Sequence, residues 1–254
     1  MKKFRIIPRL DVKNNTIVKG IHLEGLRVVG TPNRMAQRYY DDGADELLFI
    51  DAVASLYERN SLTDIICKAA RKIFIPLTVC GGIRNIDDIT NILQSGADKV
   101  AINTAAVRNP RFLKEAVARF GSQCIVLSVE AKKVGDRKWE AYTETGREKS
   151  GRDVGKWIRE AINLGVGEVL LTSVDRDGTK RGYDLLLIDE VVKVCRSVPL
   201  IVCGGAGTTE HTVQAARFHG VDALAMGSGF HYELFSIVEV KRALEKEGTM
   251  VRIR

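Results

Sequence analysis

Residues 78–106 read TVCGGIRNIDDITNILQSGADKVAINTAA, and residues 201–229 repeat the design as IVCGGAGTTEHTVQAARFHGVDALAMGSG. Each copy reads as an apolar strand, a Cys-Gly-Gly turn, an amphipathic helix of about twelve residues, a Gly-x-Asp and a second strand. That second strand ends in small polar residues, Asn103-Thr104 in one copy and Gly227-Ser228 in the other. Gly81 and Gly204 are 123 residues apart, and Thr104 and Ser228 are 124 apart, close to half of the 254-residue chain. A glycine turn that feeds a helix start suits a phosphate group. Two copies of it point to one substrate with a phosphate at each end.

The pattern extends outward from this pair. Strand-like segments recur as RIIPRLDV, ELLFIDAV, PLTVCGG, KVAINT, CIVLSVEA, EVLLTSVD, PLIVCGG and ALAMGS. Most are rich in Val, Ile and Leu without strict alternation, as parallel strands covered by helices should be. Helical patterns such as PNRMAQRYYDDG, RFLKEAVARFG and GRDVGKWIREAINLG lie between them. Eight strands alternating with helices predict an α/β fold, a closed (β/α)8 TIM barrel rather than an open Rossmann sheet. No Gly-x-Gly-x-x-Gly follows the first strand, which argues against a dinucleotide. RLDVKN around Asp11 matches SVEAKK around Glu130, and LLFIDAVAS around Asp51 matches LTSVDRDGT around Asp175. The chain therefore reads as one domain, residues 1–254, built from two (βα)4 half-barrels of about 1–122 and 123–254. Two long excursions, KNNTIVKGIHLEGLRVVGTP after the first strand and KKVGDRKWEAYTETGREKSG after the fifth, interrupt that symmetry. Loops of this length after barrel strands belong to the C-terminal face, where barrel active sites lie.

Composition narrows the function classes. Hydrophobic content of 45% and charged content of 28% are those of a globular protein. No apolar run approaches the ~20 residues of a membrane span. The opening MKKFRIIPRLDV resembles a signal sequence for three residues before Arg5, Pro8, Arg9 and Asp11 interrupt it, so it reads as a first strand and the expected location is the cytoplasm. The net charge of +7 is scattered among acids, with two tryptophans and no basic-aromatic tract. An anionic small molecule fits that pattern better than a nucleic acid. The five cysteines, 67, 80, 124, 195 and 203, contain no Cys-x-x-Cys, so neither a disulfide framework nor structural zinc is indicated. Cys80 and Cys203 occupy equivalent strand ends and read as small buried filler.

Asp11 and Glu130 end the first and fifth strands, opposite each other in an eight-stranded ring. Two carboxylates facing across a barrel mouth suit general acid-base work, one ionised and one protonated. The alternative is that they cap loops or pair with Lys13 and Lys132. Lys19, in the first excursion, either closes over the substrate or is a solvated surface lysine. The histidines, 22, 211, 219 and 231, fall at no equivalent repeat positions and read as structural or solvated, although His22 sits in the same excursion. No cluster has metal-ligand spacing, no Gly-x-Ser-x-Gly elbow appears, and neither metal nor cofactor is expected. Phosphate candidates are Gly81, Gly82, Asn103 and Thr104 in one half. Gly204, Gly205, Ala206, Gly227 and Ser228 are their counterparts in the other.

The segments LDVKNNTIVKG, GGIRNIDD, GADKVAINTAAV, FGSQCIV, LLTSVDRDGTKRGYD and CGGAG resemble the cyclase subunit family of imidazole glycerol phosphate synthase, from about Arg5 to Tyr232. That resemblance implies a duplicated half-barrel working as a heterodimer with a glutaminase subunit. Channelled ammonia would convert a bisphosphorylated ribulosyl-formimino aminoimidazole nucleotide into imidazole glycerol phosphate and aminoimidazole carboxamide ribotide. It assigns Asp11 as an acid-base residue, Lys19 as the loop lysine, and Asp177 and Gly178 to the same mouth. It further implies that Arg5, Glu46, Lys99 and Glu168 form a charged ammonia gate at the barrel's other end; on the residues alone they are bottom-face salt bridges. The chain departs from the family pattern at three points. Glu130 replaces an aspartate, placing its carboxylate ~1 Å differently; Arg9 replaces a cysteine; Cys80 replaces a glycine. The segments IHLEGLRVVGTP and VASLYERNSL are more similar to a paralogous group associated with surface-polysaccharide loci. The resemblance to that group implies an alternative, formation of an acetamidino group on a sugar or nonulosonic acid. A non-catalytic scaffold for a glutaminase is a third reading.

Overall fold

The computed structural model describes residues 3–52 and 62–253; most of VASLYERNSL, residues 53–61, lies outside the described residues. In chain order the strands are β1 (Arg5–Lys13), β2 (Thr16–Ile21), β3 (Glu24–Gly30), β4 (Leu47–Asp51), β5 (Leu77–Cys80) and β6 (Lys99–Ile102). They continue as β7 (Ile125–Gly135), β8 (Lys138–Thr143), β9 (Glu148–Asp153), β10 (Glu168–Ser173), β11 (Leu200–Cys203) and β12 (Ala223–Met226). Eight of them, β1, β4, β5, β6, β7, β10, β11 and β12, pair in parallel as a closed ring. The closing seam sets Arg5–Pro8 of β1 against Ala223–Met226 of β12. The eight sequence segments read as strands are these eight.

The helices are α1 (Pro32–Asp41), α2 (Thr63–Ala70), α3 (Ile86–Gln94), α4 (Thr104–Arg108) and α5 (Arg111–Phe120). After them come α6 (Val154–Asn163), α7 (Leu185–Val192), α8 (Thr209–Ala216), α9 (Ser228–His231) and α10 (Ile237–Lys246). Among the described residues no helix is long and apolar enough to cross a membrane. The repeated helices, α3 and α8, span nine and eight residues, shorter than the pattern predicts. Their start is set by side chains: Asn85 accepts from the Asp88 N–H and Thr208 from the His211 N–H. Each such cap stabilises its helix by about 1 kcal/mol and fixes the first turn after the glycines.

Along β1 the side chains alternate. Ile6, Leu10 and Val12 join the layer between strands and helices, together with Met35, Tyr39 and Leu47. Ile7 points inward to a separate cluster with Leu48, Val126, Leu170 and Ile201, completed by Ala101, Ala223 and Ala225. Both faces are apolar, which hides the alternation from the sequence, and each fully buried Leu or Ile contributes about 1.5–3 kcal/mol. The alanines keep the middle of the barrel axis lined with short side chains.

The two excursions obey the half-barrel symmetry rather than breaking it. β1 runs past the barrel rim and folds back antiparallel as β2 and β3, with Val12 opposite Ile17. β7 does the same with β8 and β9, with Glu130 opposite Tyr142. Each half thus starts with one long strand and one hairpin, standing over the same C-terminal face.

Candidate functional site

Two residues at the mouth end of β1 anchor the site. Arg9 Nε donates to Asp11 Oδ1 at 2.7 Å, and Arg9 Nη1 reaches Asp177 Oδ2 at 3.1 Å and Cys203 Sγ at 3.4 Å. Lys19 arrives from β2 and closes the network, donating to Asp11 Oδ2 at 3.0 Å and Asp177 Oδ1 at 2.7 Å. Lys19 is therefore a buried cation, 3% exposed, and not a solvated surface lysine. Asp11 pairs with these two cations rather than with Lys13. Burial alone would raise the Asp11 carboxyl; Arg9 and Lys19 outweigh it and hold the group down at about 2. The same carboxylates hold the Arg9 and Lys19 cations above their ordinary values against burial.

Glu130 stands across the barrel on β7 in different surroundings. Its Oε2 accepts the Gly146 N–H at 2.8 Å, from the tip between β8 and β9. Lys132 instead lies over the Tyr142 ring, 5.2 Å from its centroid. Burial pushes the Glu130 carboxyl up to about 7, only partly opposed by the Gly146 hydrogen bond and Arg9. One ionised and one protonatable carboxyl thus share the mouth.

A cavity of about 380 Å³ joins Arg9, Asp11, Lys19 and Glu130 to Gly81, Gly82, Asn103 and Thr104. The first-half phosphate candidates and the catalytic candidates therefore line one space. The second-half candidates do not. Gly204, Gly205, Ala206, Gly227 and Ser228 are buried, as is Asp177; Gly204 and Gly205 lie against Ser173, Asp177 and Gly182, and Gly227 lies against Lys19 of the first hairpin. His22 N–H donates to Asp177 O at 2.9 Å, and His22 Nδ1 lies 3.0 Å from Val174 O. A Cβ on Gly178 would sit 2.1 Å from Gly20 O, so only glycine allows this approach. Ser228 Oγ has no hydrogen-bond partner among the described residues.

The Cys-Gly-Gly turns are alike in both halves, with φ of +96° at Gly81 and +101° at Gly204. They do not open directly into a helix, because Asn85 and Thr208 cap α3 and α8. In the repeated unit the helix starts without a side-chain cap are those of α4 and α9, at Thr104 and Ser228. In each half a glycine turn precedes a strand that ends in a short helix, at Thr104–Arg108 and at Ser228–His231.

At the opposite face four strand starts meet. Arg5 donates to Glu46 at 2.9 Å and to Glu168 at 2.5 Å; Lys99 donates to Glu46 and Glu168 at 2.9 and 2.7 Å. Thr78 Oγ1 adds a 2.5 Å bond to Glu46. The four residues form a closed ring of alternating charge around the barrel axis, a mutual pairing that makes near-burial tolerable. Isolated bottom-face pairs would not close in this way.

Several cavity residues carry no signal in the repeat. Arg84 and Arg108 bring two cations to the first-half wall, and Glu144 and Thr145 line it from the second hairpin. Arg108 pairs with Glu144 at 2.9 Å. Hydrophobic periodicity does not place a hairpin tip over a cavity, so these residues were invisible without the fold. Cys80 and Cys203 both lie in the inner barrel cluster, and burial pushes the Cys80 thiol up to about 12. His231 is buried against Tyr39, whose Oη is 2.7 Å from Nδ1; burial pulls the ring down to about 4, so it is neutral. His211 takes the Gly207 N–H on Nδ1 at 3.2 Å.

The family model for "Histidine biosynthesis protein" matches residues 5–236. The imidazole glycerol phosphate synthase subunit HisF of Streptococcus sanguinis is 46% identical over 253 residues, covering 100% of both chains. The subunit of the same name in Bacillus cereus is 47% identical over 249 residues, 98% of each chain. The one in Legionella pneumophila is 52% identical over 210 residues, 83% of this chain and 99% of the relative.

Proposed function

This chain belongs to the histidine biosynthesis protein family, and from that membership we propose that it is the ammonia-using cyclase subunit of an imidazole glycerol phosphate synthase. Its substrate is the bisphosphorylated ribulosyl-formimino aminoimidazole nucleotide, and its products are imidazole glycerol phosphate and aminoimidazole carboxamide ribotide. The observation that carries the reading is the single cavity that joins Asp11, Glu130 and Lys19 to Gly81, Gly82, Asn103 and Thr104. One phosphate fits the Gly81-Gly82 turn with Asn103 and Thr104. The other belongs with Gly205, Ala206, Gly227 and Ser228, beside Asp177 and Gly178, once the first hairpin lifts. Asp11, Glu130 and Lys19 are the reacting-centre residues. Their charges would stabilise a nitrogen nucleophile and a leaving nitrogen there.

The partner in this reading is a glutaminase, docked on the face that carries Arg5, Glu46, Lys99 and Glu168. Ammonia released there passes the ring and follows the axis beside Ala101, Ala223 and Ala225 to the cavity. The test has two arms. The chain with an ammonium salt should consume the ribulosyl nucleotide and release the carboxamide ribotide. With a glutaminase subunit, glutamine should replace ammonia. No turnover with ammonia at any pH between 7 and 9 would reject the reading.

Arg9 and Glu130 at the reacting centre favour keeping one second reading, amidine formation on a nucleotide sugar or nonulosonic acid with the same channelled ammonia. If Glu130→Asp raises a feeble cyclase rate manyfold, that reading gains. Asp11→Asn tests the scaffold alternative, which requires every activity to survive it.

A further inference from the structure

The reading above gives Arg9 no task, yet it is the most tightly held cation at the reacting centre. It points inward two residues before Asp11 on the same strand, and is 4% exposed. Its Nε occupies Asp11 Oδ1 while Lys19 Nζ occupies Oδ2. Both oxygens of that carboxylate therefore carry a cation. The two cations differ in how they are attached. Lys19 rides on the hairpin and leaves Asp11 if the hairpin lifts, whereas Arg9 is fixed in the barrel by Asp177 and Cys203 as well. Glu130 lacks any such clamp: among the described residues its hydrogen bond comes from the neutral Gly146 amide.

We infer that Arg9 is a positioning residue that holds Asp11 as a fixed anion throughout the reaction and leaves proton transfer to Glu130 alone. Protonating Asp11 would leave two buried cations facing only Asp177, an uncompensated charge. The surroundings of both groups agree. Asp11 faces Arg9 on its own strand, Lys19 from β2, Asp177 from the loop after β10, and the neutral His231 from α9. Glu130 faces Glu144 and the Gly146 amide from the second hairpin, Asp177 from the β10 loop, Cys80 from β5 and Arg9 from β1. Acids outnumber cations around Glu130 and burial adds to them, so its proton affinity suits neutral pH, whereas that of Asp11 does not.

The chemistry rests on the ammonia-dependent reading; the charge assignment does not. As the ammonia-derived nitrogen bonds to the electrophilic carbon, ionised Glu130 takes one proton from that nitrogen. The same carboxyl returns the proton to the nitrogen whose carbon–nitrogen bond breaks. No net proton or electron is exchanged with the protein, and Asp11 remains an anion beside the transient cationic nitrogen.

The first experiment needs no substrate. Carboxyl ¹³C NMR of the full chain follows Asp11 and Glu130 in the wild type, Arg9→Met, Arg9→Gln, Arg9→Lys and Lys19→Met. Asp11 should stay ionised to about pH 3 in the wild type and in Lys19→Met. Its midpoint should rise by about one unit or more in Arg9→Met and Arg9→Gln, and fall back in Arg9→Lys. Glu130 should titrate near neutral pH in the wild type. An Asp11 midpoint that ignores Arg9, or a Glu130 midpoint below about 5, overturns the inference. If Arg9→Met does not fold, Arg9→Gln, which keeps a donor without the charge, reads the same shift.

The second experiment is the kcat–pH profile with ammonia and the ribulosyl nucleotide. One ionisation is expected in the wild type, a second acid limb in Arg9→Gln, and a loss of about 100-fold or more in Glu130→Gln. A wild-type profile unchanged by Arg9→Gln counts against the inference. Absence of turnover with the expected NMR midpoints would instead reject the substrate assignment and leave the Arg9 assignment standing.

Discussion

The barrel holds two four-charge networks of the same composition, two cations and two carboxylates, and builds them by different means. At one end Arg5, Glu46, Lys99 and Glu168 come from the starts of four separate strands, so sheet register alone sets their spacing. At the other end Arg9 and Asp11 share one strand, Lys19 comes from a hairpin and Asp177 from a loop. The first network is half open, with the Arg5 side chain 21% exposed; every side chain of the second is at 6% or below. The first network is set by register alone, whereas the second depends on a hairpin and a loop as well. On the proposed function, the register-set end is where ammonia enters and the hairpin-built end is where the nucleotide binds.

The deeper network should be the more costly to break. Asp177→Ala leaves Arg9 and Lys19 sharing one carboxylate, and the expected loss is about 3–5 kcal/mol in urea unfolding. Its counterpart in the ring, Glu168→Ala, leaves Arg5 and Lys99 within reach of water. Equal losses for the two substitutions would break the comparison.

The next effect is a pH dependence. The folded-state Glu130 carboxyl is raised from 4.5 to about 7, so the folded chain binds more protons than the unfolded one between those values. Its stability should therefore fall as pH rises from about 4.5 to 7, by about 3 kcal/mol, and level off above. Thermal unfolding across that range should show this slope, and Glu130→Gln should flatten it. Asp11 has the opposite sign. Held down at about 2, it adds stability above its unfolded value of 3.8 that disappears as pH falls toward 2.

For the ring itself, Glu168→Ala should lower stability by about 1–2 kcal/mol after solvent screening is allowed for. Its sharper signature is functional: glutamine-driven turnover in the complex should change more than ammonia-driven turnover of the chain alone. The smallest effect concerns the hairpin latch. His22→Ala removes the contact to Val174 O, about 1 kcal/mol or less, and should be seen as faster amide exchange in β2 and β3. No change in exchange would mean that the Lys19 ion pairs and the His22 backbone bond to Asp177 hold the hairpin without this contact.

The barrel was legible because its pattern is repeated: eight apolar segments and two Cys-Gly-Gly turns fix strand count and phase without any contact being known. Asp11 and Glu130 were legible because strand-end positions map onto one face. The excursions misled, since a hairpin of mixed polarity such as KNNTIVKGIHLEG has no single period. Lys19 could not be told from a surface lysine, because its burial depends on Asp177, which is 158 residues away. The helix starts also misled: Asn85 and Thr208 are ordinary caps by sequence, yet they move the uncapped amides to Thr104 and Ser228. Arg84, Arg108 and Glu144 enter the cavity only through tertiary packing.

β1 sets Arg5, Ile7, Arg9 and Asp11 on its inner face, one every second residue over ~20 Å. It is in effect a ruler laid along the barrel axis, with a member of one charge network at its first mark and members of the other at its last two. Deleting or inserting a single residue in it would turn the marks beyond that point to the helix layer together. Hairpin tips and wall residues can change in descendants of this chain, and with them the molecule that is accepted. The separation of the two charge networks cannot, because it is counted out in residues of one strand.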